Sequence, residues 1–197
     1  LQAAAARTGV DFEALFRTAR VESGFNPAAR AGTSSASGLF QFVDSTWLQT
    51  LARHGATHGI SAGSRSEALA LRDDPYVASL MAAEHMADNK ALLERGLGRP
   101  VATADLYLAH FLGAGGAMKF LGALDSDPGA PGAALLPAAA RANPGIFYDN
   151  GAPRSLADIR ALLARRLGTD DGGLDTAGTS VPAVAASGGT SAPDAAG

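Results

Sequence analysis

Residues 11–24, DFEALFRTARVESG, decide the fold. Asp11 is a residue type that caps helices, and apolar side chains then recur at a spacing of three or four across 12–19, which predicts an amphipathic helix. Gly24 and Pro27 end it, because glycine accepts a left-handed backbone and proline cannot continue a helix. One face of this helix is therefore expected to pack on a hydrophobic core.

Similar helix signals recur along the rest of the chain. Helix starts are predicted at Asp44, at Asp74-Pro75, at Thr103 and at Ser155 with Asp158, and a short helix is predicted around 118–121. No segment shows a sustained alternation of apolar and polar residues, so strands are expected to be few, with at most one small hairpin. The predicted class is an all-α fold.

Composition limits the organisation of the chain and its partners. The 197 residues are 47% hydrophobic and suffice for one buried core, which we assign to residues 1–168. Residues 169–197 contain almost no large apolar side chain and are predicted to form a flexible tail or linker. A net charge of −3 provides no basic surface for nucleic acid, and the absence of cysteine excludes disulfides and thiolate chemistry. The first residues lack the layout of a signal peptide, and we expect a targeting signal to have been removed.

The helix at 11–24 carries one carboxylate on its apolar stripe. Continued by one turn past Ala19, that stripe reaches Glu22, which lies in the last turn of the predicted helix. There the helix dipole and burial both disfavour the ionised form, as a general acid working near neutral pH requires. In the alternative interpretation Glu22 turns outward and pairs with Arg20 or Arg30. The helix by itself favours this structural role.

A small polar loop leads into an aromatic, amide-bearing segment within 34–42, SSASGLFQF. Residues such as Ser37 and Gly38 allow a ligand to approach the backbone closely. Gln41 can donate hydrogen bonds to sugar hydroxyls or an acetamido group and accept them in return, and Phe40 or Phe42 can stack on a pyranose ring. The alternative is a plain connection between two helices whose phenylalanines lie in the core.

No metal or cofactor is expected. The four histidines, at positions 54, 58, 85 and 110, lack the spacing that places two imidazoles and a glutamate on one helix face. Packing in the core or on the surface is the expected role of the first three. Trp47 is either a core anchor or a sugar-stacking residue.

Two motifs taken together resemble the lytic transglycosylase domain of the soluble, goose-type-lysozyme-like kind. They are ESGFNP at 22–27 and GLFQ at 38–41, at the separation that this family uses. The resemblance implies a lysozyme-like helical fold in which Glu22 is the catalytic acid and base. It also implies that Ser23 and the second motif with Ser37 line the sugar groove, with methionine commonly at the position of Phe40.

Two further family motifs are matched less closely. The family's Ala-Tyr-Asn-Ala-Gly corresponds to AHFLG at 109–113, in which His110 and Phe111 replace both polar side chains. A late tyrosine that points back at the glutamate is assigned to Tyr148. The resemblance therefore implies substrate contacts by His110, Phe111 and Tyr148.

The resemblance implies cleavage of the β-1,4 bond between N-acetylmuramic acid and N-acetylglucosamine in peptidoglycan, with a 1,6-anhydromuramoyl product. A muramidase that hydrolyses the same bond is one alternative, and a non-catalytic glycan-binding or assembly module is another. The expected place of action is the periplasm or cell wall, as a monomer whose tail serves a wall-spanning flagellar or secretion apparatus. Glycan strands are the expected substrate.

Overall fold

The computed structural model describes residues 1–169, and it is built almost wholly of helices. In chain order the elements are α1 (Gln2–Thr8), α2 (Phe12–Ser23), α3 (Asp44–His54), a 3-10 turn (Gly55–His58), α4 (Arg65–Ala70), a second 3-10 turn (Leu71–Asp73), α5 (Pro75–Leu97), α6 (Thr103–Ser126), α7 (Gly132–Leu135), α8 (Pro137–Ala142), α9 (Pro144–Phe147), β1 (Tyr148–Asp149), β2 (Ala152–Pro153) and α10 (Leu156–Leu167). The predicted all-α class is confirmed, and β1 and β2 form the one small antiparallel hairpin within these residues.

Local capping explains where several helices begin. The Asp11 side chain accepts hydrogen bonds from the backbone N–H groups of Glu13 and Ala14. Asp74 does the same at the start of α5, and Ser155 forms a reciprocal capping box with its partner three residues later at the start of α10. These caps supply acceptors for N–H groups that have no partner inside the helix. The predicted starts of all three helices are confirmed.

The predicted helix start at Asp44 is confirmed, but Asp44 is not the residue that caps the helix. Val43 is the residue before α3, and Asp44 is the first residue inside it, without a capping hydrogen bond from its side chain. Its carboxylate instead lies 2.9 Å from Nη1 of Arg72, so the guanidinium takes the oxygen that would have capped the helix. A carboxylate in the first turn still favours the helix through its dipole.

The helix from Thr103 is interrupted at Gly113, its predicted end. A short helix around 118–121 was expected to follow, and the second segment of α6 does cover these residues but is longer and extends to Ser126. At Gly113 the backbone has φ 72° and ψ 161°, a conformation that glycine adopts without a steric penalty. The glycine thus changes the direction of α6 just after the helical segment that contains Tyr107 and His110.

Two hydrophobic clusters form the interior, and α5 contributes to both. One cluster contains α1, α2, α3 and the front half of α5, and the other is formed chiefly by α6, α8, α9 and α10. Leu15 and Ala19 of α2 lie in the first cluster, while Val21 packs against the second. The end of α2 therefore lies at the seam between the clusters, and Glu22 lies there with it.

Two further points concern the end of the predicted domain and the possibility of membrane-spanning helices. The division at residue 168 stays a prediction, since 170–197 lie outside the described residues. Within 1–169, none of the helices has the length and hydrophobicity needed to cross a bilayer.

Candidate active site

Glu22 is a buried carboxylate held from α6. It is the penultimate residue of α2, with 9% of its surface exposed. The Tyr107 hydroxyl donates a hydrogen bond of 2.9 Å to Oε1, and Nε2 of His110 lies 3.4 Å from the same oxygen. Tyr107 and His110 are three residues apart on one helix, so both side chains project from the same face.

The arginines that could have neutralised Glu22 have other partners. Arg20 donates to the Leu167 carbonyl over 3.0 Å, at the end of α10. Arg30 forms an ion pair of 2.6 Å with Asp73. The outward-facing alternative for Glu22 is therefore not the arrangement that the structure adopts.

The second oxygen of Glu22, Oε2, has no hydrogen-bond or ion-pair partner in the described structure. Both polar neighbours approach Oε1, and no hydrogen bond or ion pair from residues 1–169 reaches Oε2. Oε2 is not sealed either, because the one buried and unpartnered side-chain polar atom in this part of the chain belongs to His58. The carboxyl group is thus held through one oxygen, while the other has no described partner and is not fully sealed in a side chain that is 4% exposed.

Tyr107 is suited to remain a donor to Glu22. Burial, followed by the charge of Glu22 and the hydrogen bond to it, raises the pKa of Tyr107 well above its usual value. The phenol therefore stays protonated across the physiological pH range. The rest of the Tyr107 side chain lies in the hydrophobic core. The evident role of its hydroxyl is therefore to donate to Glu22.

His110 completes the surroundings of the carboxylate. Its imidazole stacks with the ring of Tyr107 at a centroid distance of 6.0 Å and meets the Phe42 ring edge-on at 6.3 Å. Part of its side chain remains accessible. The aromatic contacts fix the ring, while the accessible part leaves room for a contact with a ligand.

The loop before α3 is fixed next to the end of α2. Ser23 Oγ donates to the Leu39 carbonyl over 2.8 Å, which ties the helix to the loop. Gln41 Nε2 donates to the carbonyls of Gly38, over 2.8 Å, and Ala29. A side chain at Gly38 would bring its Cβ within 2.5 Å of the Arg72 carbonyl, and the φ of 78° also favours glycine. Ser23, Gly38 and Gln41 thus fix the backbone around Glu22.

A comparison with known families gives one finding. The family model described as the transglycosylase SLT domain matches residues 1–104, more than half of the chain. The chain belongs to the transglycosylase SLT domain family. The match includes Glu22 and the loop at 34–42, whereas Tyr107 and His110 lie just beyond it.

Membership of the transglycosylase SLT domain family supports a transglycosylase-type activity related to peptidoglycan. It bears out the resemblance and the lysozyme-like helical fold that the two motifs imply. The roles of individual residues remain predictions, and the structure shows where these residues lie.

Several of the expected substrate contacts lie in the interior. Phe40 is 1% exposed and belongs to the first hydrophobic cluster, so neither ring face is open for a sugar. Phe111 is 3% exposed and packs on Phe147 with ring centroids 6.4 Å apart. Ser37 is also buried, and its N–H donates to the Phe42 carbonyl. Each of these residues shapes the loop or the core in the described structure.

The structure does not bring Tyr148 to Glu22. Tyr148 lies in β1 with 37% of its surface exposed, and none of its contacts within residues 1–169 is with Glu22. Tyr107 supplies the tyrosine contact instead. The position of Tyr107 three residues before His110 was the sequence signal that could have identified it. An aromatic residue on an apolar helix stripe is, however, typical of core packing.

The remaining candidates also have structural partners. Trp47 is fully buried, and its indole N–H donates to the Ala68 carbonyl over 2.6 Å, so it is a core anchor. In the described part of the chain, no set of three histidine, aspartate or glutamate side chains has an arrangement that could hold a metal ion.

Proposed function

We propose that this protein is a lytic transglycosylase that cleaves the MurNAc-β-1,4-GlcNAc bond of peptidoglycan, with Glu22 as acid and base. The observation that carries the proposal is the asymmetry of the Glu22 carboxyl group. Its Oε1 accepts from Tyr107 and lies beside His110, while Oε2 has no described protein partner and is not fully sealed. Family membership supports the class of reaction.

The first step is protonation of the leaving group. A hydrogen bond from Tyr107 to Oε1 favours carbonyl character at that oxygen, which places the acidic proton of Glu22 on Oε2. Oε2 donates that proton to the glycosidic oxygen as its bond to the muramic anomeric carbon breaks. The carbonyl oxygen of the muramoyl N-acetyl group stabilises the positive charge at the anomeric carbon, so no second carboxylate is required.

The second step closes the anhydro ring. The Glu22 carboxylate accepts the proton of the C6 hydroxyl while O6 bonds to the anomeric carbon, which regenerates the acid. Because O6 belongs to the same sugar, its effective concentration exceeds that of an external nucleophile. Tyr107 donates to Oε1 throughout and stabilises the carboxylate between the steps.

The surroundings fit a mechanism with one carboxylate. Asp44 is paired with Arg72, and Asp73 with Arg30, so both carboxylates already have structural partners. The substrate is the glycan strand, which implies action outside the cytoplasm. Service to a wall-spanning apparatus through the tail, and action as a monomer, are part of the same proposal.

The test is the chemical form of the released fragments. Peptidoglycan digested with the purified protein should give muropeptides ending in 1,6-anhydromuramic acid, each lighter by one water molecule than the reducing-end product. Reducing ends alone would identify a muramidase instead. Binding of glycan strands without release of either product would identify a non-catalytic glycan-binding module.

A further inference from the structure

A second histidine adjoins the proposed active site from another helix. His85 of α5 meets the Phe42 ring edge-on at a centroid distance of 5.7 Å, and Phe42 meets His110 at 6.3 Å. His110 in turn lies 3.4 Å from Glu22. The two imidazoles therefore contact the same phenylalanine ring, and His110 also lies beside Glu22, so α2, α6 and α5 each bring one polar group to this region.

The imidazole of His85 has no hydrogen-bond partner in the described structure. His54, His58 and His110 each lie within ion-pair distance of a carboxylate, whereas no such contact or hydrogen bond is found for His85 within residues 1–169. Its ring nitrogens are not among the sealed atoms without a partner, so they are not fully closed off from solvent. A ring that is largely covered but keeps open nitrogens is suited to contact a ligand.

His85 is uncharged under ordinary conditions. Burial, together with the neighbouring His110, lowers the pKa of His85 to about 4. At neutral pH its ring therefore has one N–H donor and one nitrogen acceptor. Such a pair matches the carbonyl and hydroxyl groups of a neutral N-acetylhexosamine better than a carboxylate or a phosphate, which would favour a cation.

We propose that His85 is a substrate-binding residue that hydrogen-bonds an N-acetylhexosamine unit of the glycan strand adjacent to the bond cleaved at Glu22. The assignment rests on the proposed function, since a polymeric substrate must extend beyond the cleaved bond along neighbouring polar groups. Glu22, His110 and His85, grouped around Phe42, provide such groups. The contacted unit belongs to the sugar chain and not to its peptide stems.

Binding of peptide-free N-acetylglucosamine oligomers tests this assignment. The parent protein carries Glu22→Gln, so that oligomers of two to six sugars bind without turnover, and calorimetry gives each Kd. Loss of one hydrogen bond is worth about 3–10-fold in Kd. His85→Ala should weaken binding of the longer oligomers by that factor and leave the shortest unchanged. Ligand should also shift the imidazole NMR signals of His85 in the parent.

Two further variants separate contact from folding. His85→Gln keeps one donor and one acceptor and should retain most of the affinity, which also covers the case in which His85→Ala does not fold. Leu92→Ala changes an exposed residue of the same helix and should bind like the parent. An unchanged Kd for every oligomer in His85→Ala, or an effect limited to peptide-bearing strands, overturns the assignment.

The outcome for the parent distinguishes this inference from the proposed function. If the Glu22→Gln protein binds no oligomer and no peptidoglycan, the proposed function fails, and the role of His85 fails with it. If the parent binds and the His85 variants bind equally well, only the role of His85 is overturned.

Discussion

Two histidine–carboxylate clusters lie among the described residues, and they differ in how Glu84 of one and Glu22 of the other are paired. In the α3–α5 cluster, Glu84 lies 3.4 Å from His54 and 2.7 Å from His58 through its two different oxygens. Asp88 lies 2.9 Å from His54 and 2.5 Å from Arg53 through one oxygen only, but its side chain is 33% exposed, so water can reach the other oxygen. In the α2–α6 cluster, Tyr107 and His110 both approach one oxygen of Glu22 and leave the other without a described partner.

The difference indicates which cluster is structural and which is functional. A carboxylate whose two oxygens are both engaged connects helices and has little capacity left for a ligand. A buried carboxylate with one open oxygen retains a position from which a proton can be transferred, at some cost in stability. The same substitution should therefore have opposite consequences in the two clusters.

The largest expected effect is that of Glu22→Gln on turnover. The amide keeps the shape of the side chain but has no transferable acidic proton. Because general acid–base catalysis contributes about 10²–10⁴-fold, muropeptide release should fall by at least that factor, with fold and glycan binding retained. Product release is measured by chromatography, and folding by circular dichroism. Muropeptide release near the wild-type rate from a folded variant would contradict the assignment of Glu22 as the catalytic acid and base.

Tyr107→Phe should give the next largest effect. It removes the hydrogen bond to Oε1 while keeping the ring in the core. A hydrogen bond to a charged group contributes roughly 1.5–3 kcal/mol, so kcat should fall about 10–100-fold, with KM nearly unchanged. The raised pKa of Tyr107 further predicts no loss of wild-type activity below pH 10 from ionisation of this phenol. Equal kcat values for the variant and the wild type would show that Glu22 needs no donor at Oε1.

His110→Ala should reduce kcat/KM on purified peptidoglycan more than it reduces the melting temperature. The imidazole lies 3.4 Å from Glu22 and is partly accessible, so it contacts the reacting region more than the core. A loss of about 10-fold corresponds to roughly one hydrogen bond to the substrate or to Glu22. A variant that melts lower yet turns over normally would assign His110 to structure.

Glu84→Gln is the matched control in the α3–α5 cluster. It replaces a carboxylate that lies within contact distance of two imidazoles, so stability should fall by about 2 kcal/mol. That loss corresponds to a melting temperature lower by about 4–8 °C for a domain of this size, measured by calorimetry. The kcat should stay within twofold of the wild type. A large loss of kcat would break the distinction between the clusters.

Removal of all residues after Gly168 should have the smallest effect. The composition of the removed segment includes almost no core-forming side chain, so activity on soluble glycan fragments and melting temperature should both remain nearly unchanged. Thermal melting and kcat/KM of the shortened protein check this. A drop of several degrees would show that the segment contributes to the stability of the domain.

Much of the helical framework could be predicted because its signals are local. The caps at Asp11, Asp74 and Ser155 and the apolar spacing of α2 act within one or two turns. The short helices α4, α7, α8 and α9 went unpredicted, since elements of four to six residues depend on packing more than on propensity. The sequence likewise did not show that Arg72 would engage Asp44, a pairing between separate segments.

The candidate site likewise has one part that could be predicted from the sequence and one part that could not. Glu22 could be identified from its place on an apolar stripe and from its motif, both of which are properties of one short stretch. The tyrosine beside it could not, and Tyr148 was the prediction where the structure has Tyr107. Burial of Phe40 and Phe111 was equally undecided, because an aromatic residue in a motif is compatible with a sugar contact and with a core position.

The sequence by itself determined the helical class, the family motifs and the carboxylate at the end of α2. Only the tertiary structure decided which oxygen of Glu22 is held, and which histidines meet carboxylates and which does not. Tyr107 and Glu22 are 85 residues apart in the chain. Their contact depends on how α2 and α6 meet at the seam between the two hydrophobic clusters, and that arrangement is set by the packing of the whole core and not by any local pattern.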